Sequence, residues 1–171
     1  MTLEIVPGYD RAEDVAALFT EYTDYLVAED VKFAEYLNMQ NYDQELSHLR
    51  QKYGPPRGRL YLAYVDGLPA GCIALRPIDE NECEMKRLYV RPAYRSAGLG
   101  RRLVELILSD ARDLGYRRVL MDTLPFLKDA IALYEKLGFY RIGCYNNSPM
   151  DESIYMQYDL KEAAADDAEH P

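Results

Sequence analysis

The sequence predicts an α/β fold of the α+β kind, a central mixed but mostly antiparallel sheet of about six or seven strands flanked by about four helices. Three observations carry this. The runs Leu60–Val65, Ala70–Arg76 and Glu82–Val90 are strand-like and follow one another through short turns, which is the pattern of an antiparallel meander. The last of them leads into the helical spacing of Leu99, Leu103, Leu106, Ile107, Ala111 and Leu114 and then into Arg118–Asp122, a strand–helix–strand unit whose two strands run parallel. Val15, Leu18, Phe19, Tyr22 and Leu26 recur at helical spacing in the first third.

Taken in order, Thr2–Val6 alternates like a short strand and Pro7-Gly8 ends it. Helices follow from Asp10 to about Ala28 and from Tyr42 to Tyr53, the second stopped by Gly54-Pro55-Pro56. Between them, Glu29 to Asn41 holds Phe33, Tyr36, Leu37 and Met39 and reads as a loop or short helix covering a substrate. Asp66-Gly67 turns the first hairpin, with a loop of a few residues around Gly67-Leu68-Pro69. Gly115 closes the long helix at the usual C-terminal position. A last helix spans Phe126 to Leu137 and exits at Gly138-Phe139, and Tyr140–Tyr145 and Ile154–Leu160 are the final strands. One domain over residues 1–160 is expected, with 161–171, rich in Ala, Asp and Glu, as a disordered acidic tail.

Composition narrows the function. No apolar run approaches the roughly 18 residues that span a bilayer, and Met1-Thr2-Leu3-Glu4 lacks a signal pattern, so a cytoplasmic protein with no membrane partner is expected. Cys72, Cys83 and Cys144 stand singly, and only His48 and His170 are available. That spacing suggests neither a disulfide framework, nor a metal site, nor a histidine-based triad. The net charge of −9 is uneven: residues 1–53 carry eleven Asp/Glu against four Lys/Arg, and residues 54–118 carry eight against twelve. A basic middle suits a phosphate-rich ligand, and an acidic first third suits a cationic acceptor rather than nucleic acid. Neither Gly-x-Gly-x-x-Gly after a strand nor a Gly-Lys-Ser/Thr loop is present, which removes the common nucleotide-binding folds.

The motif that carries chemistry is Arg95-Ser96-Ala97-Gly98-Leu99-Gly100, between the strand ending Leu88-Tyr89-Val90 and the long helix. A helix start leaves backbone N–H groups unpaired and carries the positive end of the helix dipole, so an anion docks there if no Cβ blocks it. Gly98 and Gly100 supply clearance and Arg95 adds charge. With Arg91-Pro92 before this motif and Leu133-Tyr134-Glu135-Lys136-Leu137-Gly138-Phe139 after it, the chain resembles the GNAT family of acetyl-CoA-dependent N-acetyltransferases from about Leu60 to Leu160, about 60 % of its length.

The resemblance implies acetyl-CoA as cosubstrate and no metal. It implies two parallel strands, ending at Val90 and Asp122, that splay apart so that the backbone of Leu88, Tyr89 and Val90 receives the pantetheine arm. Arg95, Ser96, Ala97, Gly98, Leu99, Gly100 and Arg101 would hold the diphosphate, and the Val90 N–H would face the reacting carbonyl oxygen. It also implies Glu84, six residues before Val90, as catalytic base, with Glu82 as the spare candidate, and Tyr134 as the acid at the CoA sulfur. Alternation counted from Val90 puts Glu84, Lys86 and Leu88 on one face and Cys83, Met85, Arg87 and Tyr89 on the other, so Glu84 has Lys86 as a competing ion-pair partner. One departure stands out: many members carry Asn where Leu127 stands here, with Lys128 beside it as a replacement.

The resemblance further implies transfer to a primary amine of a small molecule or peptide by direct attack in a ternary complex. A non-catalytic acyl-CoA-binding module of the same fold is the alternative, and a homodimer through the last strands or the helices is among the associations it implies. Phe33, Tyr36, Tyr42, Tyr145 and Asn146 are candidates for the acceptor site, with Glu29, Asp30, Glu35, Asp151 or Glu152 to attract a cation.

Overall fold

The computed structural model describes residues 1–29, 42–146 and 153–160. Seven strands form one sheet: β1 (Leu3–Pro7), β2 (Arg59–Val65), β3 (Leu68–Pro77), β4 (Glu82–Val90), β5 (Arg118–Thr123), β6 (Tyr140–Ile142) and β7 (Ile154–Asp159), in the order β1-β2-β3-β4-β5-β7-β6. All neighbours pair antiparallel except β4 and β5, which are parallel and joined by the crossover helix α4. The helices are α1 (Ala12–Glu29), α2 (Tyr42–Ser47), α3 (Leu49–Tyr53), α4 (Leu99–Asp113) and α5 (Lys128–Leu137). The predicted sheet and meander are therefore present, and the fold is the mixed, mostly antiparallel one expected.

Strand alternation divides the core into two layers. On one face Ala63, Ile73, Leu75, Met85, Val119 and Met121 pack against Leu103, Ile107 and Ala111 of α4 and Tyr134 of α5. On the other, Leu60, Leu62, Cys72 and Ala74 pack against Val15, Leu18 and Phe19 of α1 and Leu49 and Tyr53 of α3. Each helix presents the apolar stripe read from its sequence, so helices must cover both faces to keep the stripes dry.

The differences from expectation are local. The helix expected over Tyr42–Tyr53 is two short ones, broken at His48 (φ −132°, ψ 45°). Asp66 and Gly67, both at positive φ (50° and 81°), make a two-residue hairpin turn, so β3 starts at Leu68, earlier than expected. Pro92–Ala97, for which the sequence predicts no element, is a 3-10 turn, and Gly98 (φ 74°) ends it and opens α4. The acidic tail and most of the predicted acceptor loop lie outside the described residues.

Candidate active site

The site begins where β4 leaves β5. Their pairing covers only Glu82↔Arg118, Cys83↔Val119 and Glu84↔Leu120, after which the strands part. The Arg91 N–H donates to the Ala70 carbonyl at 2.8 Å, and Tyr89 stands opposite Cys72, so alternation turns the Val90 N–H away from β3 and toward the gap. The Val90 carbonyl accepts from Arg95 Nε at 2.8 Å, which leaves the N–H as the backbone group facing the opening.

A cavity of about 460 Å³ fills this gap. Its wall brings together Leu88, Tyr89, Val90, Arg95, Gly98, Gly100, Arg101 and Tyr134 of the expected site, with Lys128 at the far side. Ser96 and Ala97 are exposed and off the wall, and the Leu99 side chain is buried in the core, so those three contribute backbone at most. The first intrahelical bond of α4 runs from the Arg102 N–H to the Gly98 carbonyl, and no side chain caps the helix. The N–H groups of Leu99, Gly100 and Arg101 thus have no intrahelical acceptor and sit beside two arginines, the chemistry of a phosphate cradle. A Cβ at Gly98 would meet nothing within 4 Å but would have to tolerate φ 74°; one at Gly100 would make ordinary contact with Leu133 and Val90, so clearance matters less there. These features fit a diphosphate-bearing cofactor with an extended arm.

A β-bulge reshapes the other wall. Pairing of β3 with β4 slips between Cys72↔Tyr89 and Ala74↔Lys86, and Arg87, the extra residue, takes φ 61°. The slip corrects the expected alternation: Glu84, Lys86, Arg87 and Tyr89 share the α1 face, and Cys83, Met85, Leu88 and Val90 share the α4 face. Glu84 therefore sits on the face opposite Leu88 and Val90, whereas Lys86 remains beside it as anticipated.

Glu84 is 3 % exposed and fully engaged. Its carboxylate accepts from Arg76 Nε at 2.9 Å and from the Tyr145 hydroxyl, and Lys86 Nζ lies 3.8 Å away. Burial opposes its charge, but Lys86, Tyr145 and Arg76 outweigh it and hold the carboxyl below its ordinary value. Glu84 lines neither cavity of the cleft. Glu82 pairs with Arg118 at 2.8 Å at the closed end of the β4–β5 gap, remote from the opening.

Arg87 donates to both oxygens of Glu45, from Nε at 2.8 Å and Nη2 at 2.9 Å, and Lys52 completes the cluster. This bidentate pair ties α2 to the bulge. Burial disfavours the Glu45 charge, yet Arg87 and Lys52 hold its carboxyl down at about 2. Burial also pulls the Lys52 ammonium below its ordinary value, so Arg87 is the stronger anchor of the two.

Two tyrosines overlook the gap. Tyr134 on α5 and Tyr22 on α1 line both the large cavity and a smaller one of about 60 Å³ bounded by Lys86, Arg87, Asp122 and Thr123. Burial raises both hydroxyls, Tyr22 to about 12 and Tyr134 further. Tyr134 is fixed by ring contact with Phe139 at 5.7 Å, and Tyr22 by Tyr89 at 5.5 Å. Sequence reasoning placed Tyr22 in the core; its position one turn from the buried Leu18, on the same stripe, hid its reach into the cleft. Leu127, the departure noted in the sequence, lines both cavities and precedes α5.

At the end of the gap Tyr145 and Asn146 reach Glu84 and Asp122, respectively. Phe33, Tyr36, Asp30, Glu35, Asp151 and Glu152 lie outside the described residues, and Glu29 is exposed at the end of α1. Among the described residues no three His, Cys, Asp or Glu side chains converge to hold a metal ion, and no helix is long and apolar enough to cross a membrane.

The acetyltransferase (GNAT) family model matches residues 15–139. An uncharacterized N-acetyltransferase of Schizosaccharomyces pombe is 39 % identical over 131 residues, spanning 75 % of this chain and 80 % of that protein. Among solved structures, an acetyltransferase from Streptococcus agalactiae superposes with a TM-score of 0.75 at 24 % identity, over 92 % of this chain and 98 % of that one. A GNAT acetyltransferase from Elizabethkingia anophelis, solved with acetyl-CoA bound, gives 0.56 at 22 % identity, over 71 % and 82 %.

Proposed function

The chain belongs to the acetyltransferase (GNAT) family, and on that premise we propose that it moves acetyl from acetyl-CoA to the primary amine of a small molecule or peptide by direct attack in a ternary complex. The observation that carries this reading is the gap between β4 and β5 opening beside the uncapped N-terminus of α4. Acetyl-CoA supplies the activated thioester. The α4 N–H groups with Arg95 and Arg101 hold its diphosphate, and the β4 backbone from Leu88 to Val90 lines its arm. The Val90 N–H faces the carbonyl oxygen, where negative charge develops. Tyr134 gives a proton to the departing sulfur, and its raised pKa keeps it a donor at neutral pH.

Glu84 acts as base only through a relay, because neither its carboxylate nor the Tyr145 hydroxyl that donates to it lines either cavity. No acyl-cysteine forms. Cys83 is buried on the α4 face, its thiol donates to the Arg118 carbonyl, and burial pushes it far from thiolate character. Cys83→Ala is expected to keep acetyl transfer, measured as thiol release; abolished turnover with intact acetyl-CoA binding would require a covalent route.

The test of the reading is calorimetric titration with acetyl-CoA, followed by thiol release across a panel of amines. Binding with amine-dependent release is the expected result, and no binding would overturn the cradle. Gly98→Val puts a β-branched side chain at φ 74° inside that cradle, and is expected to weaken acetyl-CoA binding by about tenfold or more in the same titration. Unchanged affinity would remove Gly98 from the site.

A further inference from the structure

The face of β4 that meets α1, α2 and α3 carries an unbalanced charge. Arg76, Lys86, Arg87 and Lys52 cluster there with the carboxylates of Glu84 and Glu45, and Asp122 adds a third across the small cavity. Four cations against three carboxylates leave one positive charge in excess among the described residues. The unmet donors fall on Lys86. Arg76 lies 2.9 Å from Glu84, Arg87 makes a bidentate pair with Glu45, and Lys52 is bonded to the same carboxylate. Lys86 Nζ has only the 3.8 Å approach to a Glu84 whose two oxygens already accept from Arg76 and Tyr145, and it donates no hydrogen bond among the described residues.

Its side chain is nevertheless only 12 % exposed, and it lines the small cavity with Asp122, Tyr22 and Tyr134. An ammonium withdrawn from water with its donors unmet is costly, and an anion delivered to the cavity removes that cost. The geometry points to Lys86 as the residue that selects the acceptor, an amine that also carries a carboxylate, as an amino acid does. The carboxylate takes the open donors of Lys86, while Tyr134 on the same wall marks the side where the reacting end lies. One carboxylate neutralises the one excess charge. This inference rests on the amine acetyltransferase reading, and it reverses the cationic acceptor expected from the acidic first third of the sequence.

The experiment measures thiol release from acetyl-CoA by the full chain with matched pairs, each an amino acid and the amine left when its carboxylate is removed. The carboxylate-bearing member is expected to show a kcat/KM about tenfold or more above its partner. In Lys86→Met the loss is expected to be about tenfold greater for the carboxylate-bearing member, expressed in KM, and Lys86→Arg to restore part of the preference. Preference for the decarboxylated amines in the unaltered protein, or an equal loss for both members in Lys86→Met, overturns the inference and leaves the transferase reading standing. Release with neither member of any pair, while acetyl-CoA binds, overturns both.

Discussion

Glu45→Ala is expected to destabilise the protein by about 3–5 kcal/mol, the usual cost of breaking a buried ion pair from one side. The substitution withdraws two hydrogen bonds from a guanidinium that is 8 % exposed and removes the counter-charge of Lys52. For a domain of this size the midpoint of thermal unfolding should fall by roughly 10 °C or more. Because Arg87 is the extra residue of the β4 bulge and Glu45 belongs to α2, the loss also frees α2 from the wall of the cleft. Chemical denaturation of Glu45→Ala beside the parent measures the effect; a change below about 1 kcal/mol would show that the pair merely offsets its own desolvation.

The same carboxylate gives the stability a pH dependence of known sign. The folded carboxyl titrates at about 2 against an ordinary 4.5, so its contribution is complete above the ordinary value and fades as pH falls toward 2. A depression of that size corresponds to about 3 kcal/mol. Urea midpoints taken between pH 6 and pH 3 should fall in the parent, and fall less steeply in Glu45→Gln, which has no charge to lose. Parallel profiles for the two proteins would mean that other carboxylates dominate acid unfolding.

Much of this architecture is legible in the sequence because local signals and tertiary needs agree. Glu82–Val90 is a strand with those bounds, and the stripe of α4 from Leu99 to Ala111 is the one buried. Gly98 was readable as the hinge of a cradle because a positive φ and a helix start coincide there. The alternation of β4 was not readable, since a bulge adds one residue without a composition signal: Arg87 at φ 61° is held by Glu45, whose place in the chain gives no hint of the partnership. That one slip moved Glu84 to the face opposite Leu88 and Val90. The break at His48 was hidden for a related reason, because Leu46, Leu49 and Tyr53 keep helical spacing across it. Lys86 was visible as a rival for Glu84. That Arg76 and Tyr145 would reach Glu84 first, leaving the ammonium unmet, depends on the register that sets Arg76 opposite Glu84 and on a Tyr145 contact 61 residues away in sequence, which no local window contains.

Tyr134→Phe is expected to lower kcat by about a hundredfold or more while leaving acetyl-CoA affinity near that of the parent, since the ring packing is kept and only the proton donor is removed. Two tyrosines line both cavities, and position separates them. Tyr134 packs in the core layer of the α4 face and lines the large cavity with Arg95, Gly98 and Gly100. Tyr22 comes from α1 and stacks on Tyr89 on the opposite face of β4. Tyr22→Phe should therefore cost far less in kcat, and any loss should appear in the KM of the amine. The hydroxyl of Tyr134 donates no hydrogen bond among the described residues, and burial first, then Tyr22 and the Asp122 carboxylate, drive its pKa up, so it stays protonated through the working range. Its titration should then produce no alkaline limb in kcat up to about pH 10, and the profile of Tyr134→Phe should be lower but of the same shape. If Tyr22→Phe lost turnover and Tyr134→Phe kept it, the proton would reach sulfur from the α1 side of the cleft, and the roles of the two walls would have to be exchanged.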